Sequence, residues 1–78
     1  MEAGLDSIRS GMRGVVMQVR EKPVIVKRFR QIGLAPGTVV YCRYRSPGGS
    51  VVALEFRNRA MAFCTKDLRK ISIACRGL

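Results

Sequence analysis

"RQIGLAPGTVVYCRY", residues 30–44, changes character three times: a helix-like pattern ends at Gly33, the chain turns through Pro36-Gly37, and a β-rich run begins at Thr38. Pro36 presets the backbone for the second position of a β-turn, and Gly37 accepts the positive φ of the third. The pair predicts a type II turn that redirects the chain from helix to strand. Immediately upstream, in "PVIVKRFRQIG" (23–33), Ile25, Phe29 and Ile32 recur at i, i+4 and i+7, while Lys27, Arg28, Arg30 and Gln31 fall elsewhere. That is the spacing of an amphipathic helix. Pro23 suits the first helical position, where a missing N–H costs nothing, and Gly33 suits the left-handed residue that closes a helix. Val24 and Val26 favour strand locally, so the helix start is less sharply marked than its end. A helix of about ten residues is marginal alone in water, so Ile25, Phe29 and Ile32 are expected to dock on a core.

The flanking segments read as strands and turns. "GLDSIRSGMRG" spaces Leu5 and Ile8 for one helical turn before Gly11, with Asp6 and Ser7 available as caps. "VVMQVR" is mostly β-branched, with Val15, Met17 and Val19 alternating against Val16 and Gln18. From Thr38 to Arg45, Val40, Cys42 and Tyr44 share one predicted face, with Tyr44 towards the core, and Val39, Tyr41, Arg43 and Arg45 the other. "SPGGS" reverses the chain into Val51–Arg57, where Val52, Leu54 and Phe56 alternate with Ala53, Glu55 and Arg57. "RNR" reads as a tight hairpin because Asn58 tolerates positive φ, and it leads to Ala60–Cys64 with Met61 and Phe63 inward. Thr65 is placed to cap a short helical turn in "TKDLRK", and "ISIA" closes with Ile71 and Ile73 inward. About five short strands and one helix suit a small, mainly β, SH3-like barrel, since closing a sheet buries one face of every strand with few residues.

At 78 residues the chain is expected to be one domain, 1–78, near the lower limit for a self-sufficient core. Its hydrophobic content of 47% against 26% charged residues is that of a globular chain, not a disordered one. The apolar runs "VIV" and "AMAF" are far too short to cross a bilayer, and "MEAGLDSIRS" has no apolar stretch of the kind a secretory signal needs. The cytoplasm is the expected location. Fifteen Lys and Arg against five Asp and Glu give a net charge of +10, which attracts anionic partners: nucleic acid, inner-leaflet phospholipid or an acidic protein face.

Chemistry-bearing constellations are sparse. Cys42, Cys64 and Cys75 are odd in number and form no C-x-x-C pair, and there is no histidine to complete a metal site. A metal could be held through them only if three strands converged; Cys42 and Cys64 read instead as core or barrel-wall positions. Glu2, Asp6, Glu21, Glu55 and Asp67 are scattered, "SPGGS" is not a phosphate-binding loop, and no Ser/His or Cys/His pair exists. No enzyme activity and no cofactor are expected.

"LDSIRSG", then "RFRQIGLAPGT", then two hairpin strands and "DLRKISI" together resemble the FeoA family, the small ferrous iron transport protein A. The resemblance runs from Leu5 to about Ile73, and "R-F-x-x-I-G-L-x-P-G-T" is its most specific part, similar to the family's Arg-Leu-x-x-Leu-Gly-Leu-x-Pro-Gly-Thr. It implies an SH3-like barrel with a helical insertion, acting as a cytosolic accessory of FeoB, the membrane protein that imports Fe(II) and carries a GTPase domain. The fold it implies is also similar to the C-terminal domain of metal-dependent DNA-binding repressors. Asn58 stands where the family usually has glycine, Arg59 where an aromatic is common, and Met61 where leucine is frequent.

On this basis the expected docking residues are Lys27, Arg28 and Arg30 on the helix, Leu34 on the turn, and Arg45 and Arg59 near the hairpins. Leu34, a large apolar side chain on a turn, also reads as a plug for the barrel end. Two alternatives remain open from the residues alone: a nucleic-acid-binding barrel using Tyr41 and Tyr44 beside the basic set, and a transition-metal-binding regulatory domain.

Overall fold

The computed structural model describes residues 2–76. Six strands, β1 (Glu2–Gly4), β2 (Arg13–Val19), β3 (Val39–Arg45), β4 (Val51–Phe56), β5 (Arg59–Cys64) and β6 (Ile71–Arg76), form one antiparallel sheet in the order β1-β6-β2-β3-β4-β5. Among the described residues one α-helix, α1 (Pro23–Gln31), connects β2 to β3, and 3₁₀ turns occupy Leu5–Ser7 and Thr65–Leu68. The core is buried without a second sheet. Val16, Val40, Cys42, Val52, Leu54, Phe56, Ile71 and Ile73 come from the strands, and Leu5, Ile8, Leu34 and Leu68 from the connections. One sheet hides such a core only by curling on itself, with apolar connections stopping its ends. This is the expected mainly β, SH3-like fold, with six strands instead of five.

The additional strand is β1. Glu, Ala and Gly are all depleted in strands, so nothing local announces it; it is extended because β6 offers an edge, pairing Glu2 with Ala74 and Gly4 with Ser72.

The joint between helix and barrel forms as its residues dictate. Lys22 caps α1 with Pro23 at the first position, and Gly33 follows the helix at φ +100°. Gly37 lies at φ +93°, and Thr38 donates its N–H to the Ala35 carbonyl at 3.0 Å, which closes the Pro36-Gly37 turn. Two caps differ from expectation. No side chain caps the first 3₁₀ turn; Ser7 Oγ instead donates to the Gly4 carbonyl at 2.7 Å. Thr65 does not cap the second, because its hydroxyl donates across the sheet to the Gly49 carbonyl at 2.9 Å.

Two β-bulges override simple alternation. In β2 the register shifts between Val16 and Gln18, so both Val16 and Val19 reach the core and Met17 is left exposed. In β3 it shifts between Cys42 and Tyr44. Tyr44 is therefore turned outward, 53% exposed, rather than towards the core as strict alternation predicts.

Candidate docking surface

No residue of α1 is fully buried. Phe29 and Ile32 pack against the core, while Ile25 is only half-buried. Because the helix touches the barrel along one side only, an apolar groove of about 500 Å³ runs between it and β5, floored by Ile25, Phe29, Ile32 and Phe63. Its rim is charged, with Arg28 and Lys66 as cations and Glu21 and Asp67 as carboxylates. Lys27, Arg28 and Arg30 are all exposed on the helix.

A second concavity, of about 310 Å³, lies at the C-terminal end of α1, where Arg30 meets Arg57 and Arg59 from the β4–β5 hairpin. Arg57 and Asn58 adopt φ of 52° and 62°, both positive, as a two-residue type I′ turn requires. Only Asn58 carried that signal in the sequence. The hairpin aims two arginines back at the end of the helix: Arg59 Nη2 donates to the Ile32 carbonyl at 3.3 Å, and the aliphatic part of Arg57 lies over Gly33, where a Cβ would come within 3.1 Å of Arg57 Cγ. Cations at a helix C-terminus meet the negative end of its dipole.

The six sequence-predicted docking residues thus fall into different settings. Lys27, Arg28, Arg30 and Arg59 are exposed and lie on α1 or the hairpin that meets its end. Leu34 has no exposed surface at all and belongs to the core, so it holds the joint and offers a partner nothing to touch. Arg45 is half-buried and committed internally: its Nη1 donates to the Asp6 carbonyl at 2.8 Å and the Ile8 carbonyl at 2.9 Å. The bulge in β3 brings it there. Sequence reasoning missed the groove floor as a site, having assigned Ile25 and Phe29 wholly to packing.

The aromatic and thiol side chains are also distributed. Tyr41 is half-buried with the Arg13 guanidinium 5.9 Å from its ring centroid. Cys42 is buried, Cys75 partly so and Cys64 exposed, which corrects the barrel-wall expectation for Cys64. Burial pushes the Cys42 thiol pKa up, against smaller opposing effects of backbone hydrogen bonding at Tyr44 and the charge of Arg45. Among the described residues, no three Cys, Asp or Glu side chains gather in a way suited to a metal ion. No described helix is long and apolar enough to cross a membrane.

These features define a small SH3-like β-barrel with one inserted helix, whose most built surface is an apolar groove rimmed by charges of both signs. The chain belongs to the FeoA family: the model for the FeoA domain matches residues 4–75. No curated protein sequence matches it. Among solved structures, the crystal structure of an iron uptake regulatory protein, FeoA, is similar with a TM-score of 0.87 at 16% identity, covering 97% of this chain and 100% of that one. A FeoA-like protein from Clostridium acetobutylicum gives 0.86 at 17% identity, covering 99% of this chain and 90% of that one. A manganese-dependent transcriptional repressor gives 0.82 at 14% identity, covering 96% of this chain but 42% of that one. At such identities the likeness is one of fold.

Proposed function

We propose that this chain is a cytoplasmic accessory protein of a ferrous iron uptake system, binding the cytosolic, GTPase-bearing part of a FeoB-type transporter and supporting its assembly or activity. The observation that carries this reading is the FeoA family match across residues 4–75. Family membership supports the role in ferrous iron transport; the surface supports binding as its mode. A net charge of +10 steers the protein towards an acidic face or the anionic inner leaflet; Lys27, Arg28, Arg30 and Arg59 are exposed, and Arg28 lines a groove able to confer shape specificity. The test is co-purification with the transporter from membranes, comparing wild type with R28E/R30E. Capture of wild type and its loss in the variant is the expected result; equal capture of both removes α1 from the docking role.

A second reading, nucleic-acid binding, is favoured by the outward position of Tyr44 beside exposed Arg43. Titration with single- and double-stranded DNA at two salt concentrations separates the two, because phosphate contacts weaken steeply with salt. Tight, salt-sensitive binding together with failure to capture the transporter selects nucleic acid.

A further inference from the structure

Strand β5 ends the sheet order, and among the described residues no strand pairs with its outer side. The sheet's other end, β1, is three residues long, which by itself limits what can pair with it. β5 is different: six residues, unbroken in register against β4 from Phe56↔Arg59 to Val51↔Cys64, with no proline, no bulge and a single charge, Arg59. In an antiparallel ladder closed by a two-residue turn, Arg59, Met61 and Phe63 exchange hydrogen bonds with β4, so the N–H and C=O groups of Ala60, Ala62 and Cys64 point away from it. These three residues are exposed. An edge that is long, flat and unprotected is a template for another strand.

The groove described above lies along this same edge. Phe63 of β5 forms one wall, and Ile25 and Phe29 of α1, with Ile32 just past its end, the facing one. A strand added beside β5 would place alternate side chains on the core side, where an apolar residue fits between Phe63 and Phe29. Backbone pairing and a side-chain pocket therefore coincide.

We propose that β5 accepts an extended segment of a partner protein as a seventh strand, with an apolar side chain in the α1–β5 groove and acidic residues flanking it. Charge selects the occupant. Two copies of a +10 chain repel, whereas an acidic segment is drawn by that net charge, by Arg59 at the start of β5 and by Arg28 and Lys66 on the groove rim, and its carboxylates must stay clear of Glu21 and Asp67 on the same rim. This rests on the proposed role as a docking protein and specifies how docking is achieved.

The test uses the full chain and the substitution A62P. Because the Ala62 N–H points outward, proline there removes a bond to an added strand while sparing the β4 ladder. A second variant, A62K, places a charge on the edge with the backbone unchanged, and amide spectra check the fold of both. The first measurement titrates the labelled protein with a blocked decapeptide of alternating valine and threonine flanked by glutamates. Shifts centred on Ala60, Ala62, Cys64 and Phe29, weakened about tenfold or more by A62P, are expected; no shift at millimolar peptide, or equal shifts in folded A62P and A62K, overturns the proposal. The second repeats transporter capture with the same variants. If wild type and both folded variants are captured equally, the partner binds elsewhere and the strand proposal fails while the accessory role stands. If wild type itself is not captured, that role fails and the peptide titration alone decides the edge. Sedimentation showing a wild-type dimer that A62P abolishes would assign the edge to a second copy and overturn the partner segment.

Discussion

Thr38 Oγ1 donates a hydrogen bond to the carbonyl of Gly33 at 2.8 Å, tying the glycine that follows the helix to the residue that precedes β3. Thr38 is 7% exposed, and its hydroxyl also receives the Ala35 N–H at 3.4 Å. The joint from Gly33 to Thr38 is thus held by a side chain as well as by Pro36-Gly37. T38V keeps the shape and removes the hydroxyl. It is expected to lower stability by about 1–2 kcal/mol, read as a lower urea midpoint with an unchanged slope.

Leu34 closes the barrel from within that joint. Since it is wholly buried, L34A is expected to cost about 2–5 kcal/mol and to lower the melting temperature strongly. R28E, on an exposed helical face, should change stability by less than about 0.5 kcal/mol. Comparable losses in the two variants would contradict the assignment of Leu34 to the core.

Gly33 combines φ +100° with the stem of Arg57 lying across it. Alanine there would carry a strained backbone and push against Arg57 Cγ at 3.1 Å. G33A should destabilise by about 1–2 kcal/mol, and R57A in the same background should not recover it, because the strain resides in the backbone. A thermal-melt cycle over the four variants measures this.

Arg45 holds the N-terminal 3₁₀ turn through two carbonyl acceptors. R45M is expected to cost about 1.5–3 kcal/mol, as bonds to a charged donor do. Hydrogen exchange should speed up first in residues 5–8, before the β3–β4 ladder; uniform acceleration would argue against a local clamp.

The thiols should separate by reactivity and by pH. Cys64 is exposed and Cys42 buried with a raised pKa, so iodoacetamide should modify Cys64 first and Cys42 only on opening. Above the ordinary thiol value of 9.0, the unfolded chain gives up the Cys42 proton before the folded chain does. Stability therefore falls as pH rises through that range, and C42A should flatten the fall. A wild-type pH profile unchanged by C42A would exclude this linkage.

Much of the fold could be read from local chemistry. The α1 end, the Pro36-Gly37 turn, the β4 faces and inward Ile71 and Ile73 each depend on residues close in sequence, and each is as expected. Apart from the Ser7 cap, lost to the nearby Gly4 carbonyl, the misses share a cause. β1, the bulges that expose Tyr44 and engage Arg45, and the Thr65 bond to Gly49 all depend on a neighbour far along the chain. The candidate site divides the same way: exposed Lys27, Arg28 and Arg30 follow from helical spacing, but the groove exists only because β5 comes to face α1.

By itself, the sequence determined where the backbone must turn, which residues prefer burial, and that the surface is cationic, because φ preferences, apolar periodicity and net charge are properties of residues and their near neighbours. Tertiary structure alone decided which edge of the sheet stays unpaired, which arginines are consumed by internal carbonyls, and where an apolar groove opens. Those depend on strand order and register, set by the pairing of segments that no short-range pattern connects.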